Sequence, residues 1–61
     1  MKRYKVDLVV GYTNGRYVRE TVYTFEYKNE SEAIAYAKGY LKLQYNMLDA
    51  DMFFVYSVET I

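Results

Sequence analysis

The 61-residue sequence predicts a small α+β domain of order ββαβ, in which a three-stranded antiparallel sheet with strand order 2-1-3 carries one helix on one face. Three observations predict this fold. Two runs of alternating apolar and polar residues flank Asn14-Gly15, a helix-capping pattern with helical periodicity follows, and an apolar run ends the sequence. We expect residues 1–61 to form a single domain, because so short a chain buries only about 60% of its unfolded surface.

The first strand is predicted from Arg3 to Tyr12, where side-chain character alternates with a period of two. One face of this strand is apolar and is expected to point toward the core: Tyr4, Val6, Leu8, Val10 and Tyr12.

The dipeptide Asn14-Gly15 predicts a two-residue type I′ hairpin loop, with a second strand from Arg16 to Tyr27. Such a loop places Thr13 opposite Arg16, and it puts Arg19 on the core face. A buried unpaired guanidinium is costly, so we expect this end of the hairpin to project beyond the helix or to meet a partner. In this register the reverse face collects Val9, Val18, Val22, Phe53 and Val55, a set compatible either with a solvated face or with a second layer from another subunit.

A helix is predicted after the hairpin. Asn29 or Ser31 is its N-cap, and with Asn29 as the cap Glu32 stands at the capping-box position. Its core-facing stripe is predicted to be Ala33, Ile34, Ala37, Leu41, Gln44 and Leu48. Asn46 is the expected C-terminal residue of the helix.

The last strand follows the connector "NMLDAD" and has the sequence "MFFVYSVETI". It carries apolar residues on both faces, which is typical of a strand that is central or covered on both sides. If this strand runs antiparallel to the first, the strand order is 2-1-3.

A second apolar stripe lies beside the core stripe of the helix: Tyr36, Tyr40, Leu43 and Met47. These residues are our candidates for self-association, because wide apolar surfaces are often interfaces. The alternative is a helix that sinks into a curved sheet, with the tyrosine hydroxyls at its rim.

The predicted hairpin tip gathers Tyr12, Arg16, Tyr17 and Arg19. Tyrosine and arginine are enriched among interface hot spots, so these residues are our candidate partner-binding site. The alternative is a solubilising hairpin end.

Composition restricts the function. The chain has eight basic and eight acidic residues, so it lacks the strong positive field that attracts nucleic acids and anionic membranes. It has no His and no Cys, so we predict no catalytic residue, no metal site and no cofactor, and we do not expect an enzyme.

A chain this small without disulfides or metal gains most from self-association, so we expect a homo-oligomer, with a dimer favoured. No signal or membrane segment is recognised, and we expect a cytoplasmic protein that does not bind membranes.

We therefore predict a small non-enzymatic protein-interaction module, an inhibitor or regulator of the kind carried by phages or mobile elements. It would act by occluding or bridging a protein partner. The alternative is a binding module for single-stranded nucleic acid or a nucleotide, which would use tyrosine stacking together with Arg16 and Arg19.

Overall fold

The computed structural model describes residues 1–44 and 50–61. It contains β1 (Tyr4–Tyr12), β2 (Tyr17–Tyr23), α1 (Glu30–Gln44) and β3 (Ala50–Thr60). The strands form an antiparallel sheet of order β2-β1-β3, which confirms the predicted ββαβ fold. β1 is the central strand and β3 lies at an edge, as the predicted order 2-1-3 requires, so the last strand is not central. Predictions for Asn46, Met47 and Leu48 lie outside the described residues.

The core lies between one face of the sheet and α1. β1 supplies large side chains to it, and α1 supplies mainly alanines, which let the helix approach the sheet closely. The buried apolar residues are Tyr4, Val6, Leu8, Val10, Val22, Ala33, Ala37 and Leu41. Ile34 is only half-buried and Gln44 is exposed, so the buried stripe of the helix is narrower than predicted.

The helix begins as its sequence predicts. The Asn29 side-chain oxygen accepts a hydrogen bond from the Glu32 N–H at 3.0 Å. The Glu32 carboxylate in turn accepts one from the Lys28 N–H at 3.2 Å, one residue before the cap. Two otherwise unpaired amides at the start of α1 are thereby satisfied.

The register of the hairpin differs from the predicted one. The Tyr12 N–H donates to the Arg16 carbonyl at 2.8 Å, and the Gly15 N–H donates to the Tyr12 carbonyl at 3.0 Å. The loop therefore holds three residues, and only Gly15 has a positive φ, of 88°. This is a turn followed by a left-handed glycine, the commonest form of a three-residue hairpin loop, rather than a type I′ turn.

One extra loop residue shifts every pair in the hairpin by one position. Val10 pairs with Val18, and Val6 pairs with Val22. Because side chains alternate between faces, the shift moves Val22 into the core and takes Arg19 off the core face. The predicted cost of a buried Arg19 is thereby avoided.

β2 ends earlier than predicted, at a buried polar residue. Thr24 is buried beside Tyr4, where its hydroxyl accepts a hydrogen bond from the Tyr4 N–H at 3.1 Å and donates one to the Phe25 carbonyl at 2.7 Å. Beyond this point only an isolated bridge between Lys2 and Tyr27 continues the pairing. The Thr24 hydroxyl thus satisfies the Tyr4 N–H at the point where the regular pairing of β1 with β2 ends.

β3 also contains an irregularity. Asp7 pairs with Ser57 but Leu8 pairs with Val55, so Tyr56 is an extra residue on β3. Phe53, Val55 and Val58 pack against the core, whereas Met52, Phe54 and Tyr56 are exposed. The predicted reverse-face positions of Phe53 and Val55 were therefore wrong.

Candidate interaction surfaces

The face of the sheet opposite α1, here called the open face, is crossed by rows of neighbouring side chains. At the loop end the row is Tyr17, Gly11 and Met52, one residue from each strand. A Cβ built on Gly11 would lie 3.6 Å from atoms of both neighbouring side chains. The missing side chain thus lets an aromatic ring and a thioether close over the central strand, and Gly11 is buried beneath them.

The next row contains Arg19, Val9 and Phe54. The Arg19 guanidinium lies 5.8 Å from the centroid of the Tyr56 ring, within the range of a cation–π interaction. The contact connects β2 to β3 across β1, and it holds a positive charge against an otherwise apolar surface.

Polar side chains follow toward the other end of the sheet. The Thr21 hydroxyl donates a 2.6 Å hydrogen bond to the Asp7 carboxylate across the two strands. Lys5 then lies between Tyr23 and Glu59. The open face is therefore apolar near the loop and polar at the far end.

We call the apolar half of this face the open-face cluster: Tyr17, Arg19, Met52, Phe54 and Tyr56. Tyr17 is 65% exposed, Met52 42%, Phe54 53% and Tyr56 55%. Taking about 200 Å² for each large side chain, these four expose roughly 400 Å². A patch of this size falls within the range of the largest apolar patches on monomers, which are often functional.

The four residues of the predicted partner site are divided by the observed register. Tyr17 and Arg19 belong to the open-face cluster. Tyr12 packs against the core, and together with Arg16 it borders an open concavity of about 390 Å³ whose other lining residues are Thr13, Asn14 and Val18. The two arginines of the tip therefore belong to different surfaces.

The residues predicted for self-association occupy mixed environments. Tyr36 is half-buried within an aromatic cluster, with its ring centroid 5.3 Å from Phe25, 5.8 Å from Tyr27 and 6.2 Å from Tyr40. Leu43 is 87% exposed, and Met47 lies outside the described residues. Contacts with Phe25, Tyr27 and Tyr40 therefore occupy much of the Tyr36 ring.

Sequence reasoning missed three members of the open-face cluster: Met52, Phe54 and Tyr56. Residues 52–56 are all apolar or aromatic, so their pattern does not reveal which side faces the core. Partial signals existed in Arg19, whose predicted burial was unfavourable, and in Gly11, which has no side chain between two large neighbours.

Within residues 1–44 and 50–61, no group of three or more acidic side chains is arranged to hold a metal ion. No helix among these residues combines the length and apolar character needed to cross a membrane. The chain matches no protein-family model, no curated protein and no solved structure.

Proposed function

We propose that this chain is a non-enzymatic protein-interaction module that binds a protein partner through the open-face cluster. It acts as an inhibitor or regulator, of the kind carried by phages or mobile elements, by occluding or bridging that partner in the cytoplasm. The observation that supports this proposal is the presence of three exposed aromatic rings, a methionine and an arginine on a sheet face that no described element covers.

The residue types suit protein recognition. Interface centres are enriched in tyrosine, phenylalanine, methionine and arginine and are depleted of lysine and acidic residues. The open-face cluster has this composition, whereas Lys5, Asp7 and Glu59 lie at its polar end. Interfaces have an apolar core and a polar rim, and these residues supply such a rim at one end of the cluster.

The size of the surface limits the kind of complex. A standard interface uses about 800 Å² from each partner, roughly twice what the four large side chains of the cluster expose. A partner would therefore have to contact the polar end of the face as well. Thr21 and Asp7 are already paired with each other there, so they present a fixed polar surface.

Affinity capture tests the proposal, with the tagged chain as bait and quantitative mass spectrometry as the readout. The double variant Tyr17→Glu, Arg19→Glu is expected to lose the specific partner. It places two negative charges in the apolar cluster and removes the positive charge of Arg19. Circular dichroism would verify that this variant stays folded.

Two matched controls change the charge elsewhere. Arg16→Glu alters the concavity at the hairpin tip, and Leu43→Glu alters an exposed helix position. Both controls should retain the partner. Retention by the Tyr17→Glu, Arg19→Glu variant would contradict the proposal, and selective loss with Arg16→Glu would place the site at the tip.

A second candidate is supported by the same surface. Exposed rings on an open sheet face stack unpaired bases, and Arg19 adjoins Tyr56 where a phosphate or a base could bind. Fluorescence titration with labelled single-stranded oligonucleotides and nucleotides, at low and moderate salt, tests this function. Binding that weakens with salt and is lost in Arg19→Glu would support it, and absence of binding at low salt would exclude it.

A further inference from the structure

We infer that β3 pairs antiparallel with β3 of a second copy of this chain, across a two-fold axis that passes by Phe54. The two sheets then form one continuous sheet of six strands. The inference depends on the edge and the sequence of β3 and not on the identity of any foreign partner.

The two edges of the sheet differ in length. β3 has eleven residues and β2 has seven. Among the described residues, β3 pairs only with β1, which leaves its outer edge without a strand. Edge strands normally resist pairing by means of proline, lysine, bulges or short length. β3 contains neither Pro nor Lys, and Met52–Val55 pairs regularly with β1 between its two register shifts.

The sequence of β3 is complementary to itself in one register. When Phe54 lies opposite Phe54 of the second copy, Met52 lies opposite Tyr56, and Phe53 lies opposite Val55. Each pair then joins residues of the same face, because exposure alternates regularly from Met52 to Tyr56. Apolar and aromatic cross-strand pairs of this kind stabilise antiparallel sheets.

The neighbouring register, centred on Val55, does not match. It would place Phe53, which packs against the core, opposite Ser57, which pairs with Asp7 on the open face. The extra residue at Tyr56 causes this mismatch, because it breaks the alternation of faces. The bulge therefore selects Phe54 as the centre of the pairing.

The symmetry also determines what the dimer presents. A two-fold axis perpendicular to the sheet leaves both open faces on the same side. Six strands at about 4.8 Å spacing make a surface roughly 29 Å wide, with the two clusters meeting at Phe54. A partner would then contact residues of both copies, and two partners could be bridged.

Single-cysteine variants test the pairing directly, because the chain has no cysteine of its own. Phe54→Cys should form a disulfide-linked dimer on mild oxidation, since directly opposed strand residues are close enough for a disulfide. Met52→Cys alone should not, because its two copies would lie about 13 Å apart along the strands. A mixture of Met52→Cys and Tyr56→Cys should cross-link.

Tyr23→Cys is the matched control, since this residue is also exposed on the open face but lies on β2. It should remain uncross-linked. Equal cross-linking of Tyr23→Cys, or none of Phe54→Cys, would overturn the pairing.

Light scattering after size exclusion provides the second test. The wild-type chain should be a dimer, and Phe54→Lys or Phe54→Glu should each weaken dimerisation by about 100-fold, because like charges meet at the two-fold axis. A 1:1 mixture of the two variants should recover the dimer mass, which an unfolded chain would not do.

Leu43→Glu should leave the mass of the dimer unchanged. A wild-type monomer would overturn the inference. Dimer loss in Leu43→Glu with retention in Phe54→Lys would also overturn it, and would assign self-association to the helix stripe of Tyr36, Tyr40, Leu43 and Met47.

Discussion

β2 and β3 are the two edges of the same sheet, and they distribute their apolar residues differently. β2 buries Val22, and on its open side Arg19 and Thr21 lie between the exposed Tyr17 and Tyr23. β3 is apolar on both sides, with Phe53 toward the core and Phe54 exposed. The comparison teaches that β2 separates its exposed tyrosines by polar residues, whereas β3 exposes Met52, Phe54 and Tyr56 as one apolar group that α1 does not cover.

The difference arises from what α1 contributes. Its buried residues are small, with Ala33 and Ala37 close to the sheet and Leu41 the only larger one among them. The helix thus packs mainly on β1 and β3, and nothing in the described chain forms a second layer on the other face. The open face is consequently where a partner gains most, whereas an added strand pairs with the outer edge of β3.

The largest expected effect concerns two adjacent residues of β2. Val22→Asp should unfold the chain at 25 °C, because it buries an unpaired charge in a small domain whose stability is only several kcal/mol. Tyr23→Asp, at a position that is 60% exposed, should change stability by less than about 1 kcal/mol. Urea denaturation followed by circular dichroism, at one protein concentration, measures both. The register first predicted from Asn14-Gly15 requires the opposite ranking.

The second largest effect on stability is expected at Thr24, directly after the end of β2. Thr24→Val should destabilise the chain by about 1–3 kcal/mol although it adds apolar character, because the buried Tyr4 N–H loses its acceptor. Thr24→Ser keeps the hydroxyl and should lose only about 1 kcal/mol with the methyl group. Equal or greater stability of Thr24→Val in the same urea titration would show that the hydroxyl is dispensable.

Gly15 lies in the hairpin loop, and Gly11 lies between Tyr17 and Met52 on the open face. Substitution by alanine should change stability differently at these two positions. Gly15→Ala should cost about 1–2 kcal/mol, because φ is positive there. Gly11→Ala should leave stability unchanged or raise it by up to about 1 kcal/mol, since the new Cβ would meet Tyr17 and Met52 at an ordinary 3.6 Å. Thermal melting of both variants checks the ranking. A larger loss of stability for Gly11→Ala than for Gly15→Ala would mean that Tyr17 and Met52 leave no room for a methyl group.

The fold was predictable from local chemistry. Asn29 and Glu32 mark the helix start, alternation marks β1, and an antiparallel last strand leads to the observed order. The hairpin register was not predictable from Asn14-Gly15 alone, because a two-residue loop and a three-residue loop both use this dipeptide. Only the cost of burying Arg19 distinguished them.

The candidate site was predictable only in part for the same reason. Tyr17 and Arg19 were recognised, but the register decides whether they stand beside Tyr12 and Arg16 or beside Met52 and Phe54. On β3 the apolar run from Met52 to Tyr56 carries no alternation, and the bulge at Tyr56 depends on pairing with β1. Such tertiary features leave little trace in a single sequence.

The smallest expected effect is the coupling between the two edges through Arg19 and Tyr56. A double-mutant cycle with Arg19→Ala and Tyr56→Ala should give a coupling energy of about 0.5–1 kcal/mol, because the contact is cation–π in character and both side chains are exposed. Arg16→Ala with Tyr56→Ala is the matched cycle and should be additive, since Arg16 borders the tip concavity. No coupling in the first cycle would mean that Arg19 is free to leave the ring for a partner without loss to the fold. A coupling in the expected range would instead mean that the open-face cluster is organised before any partner binds.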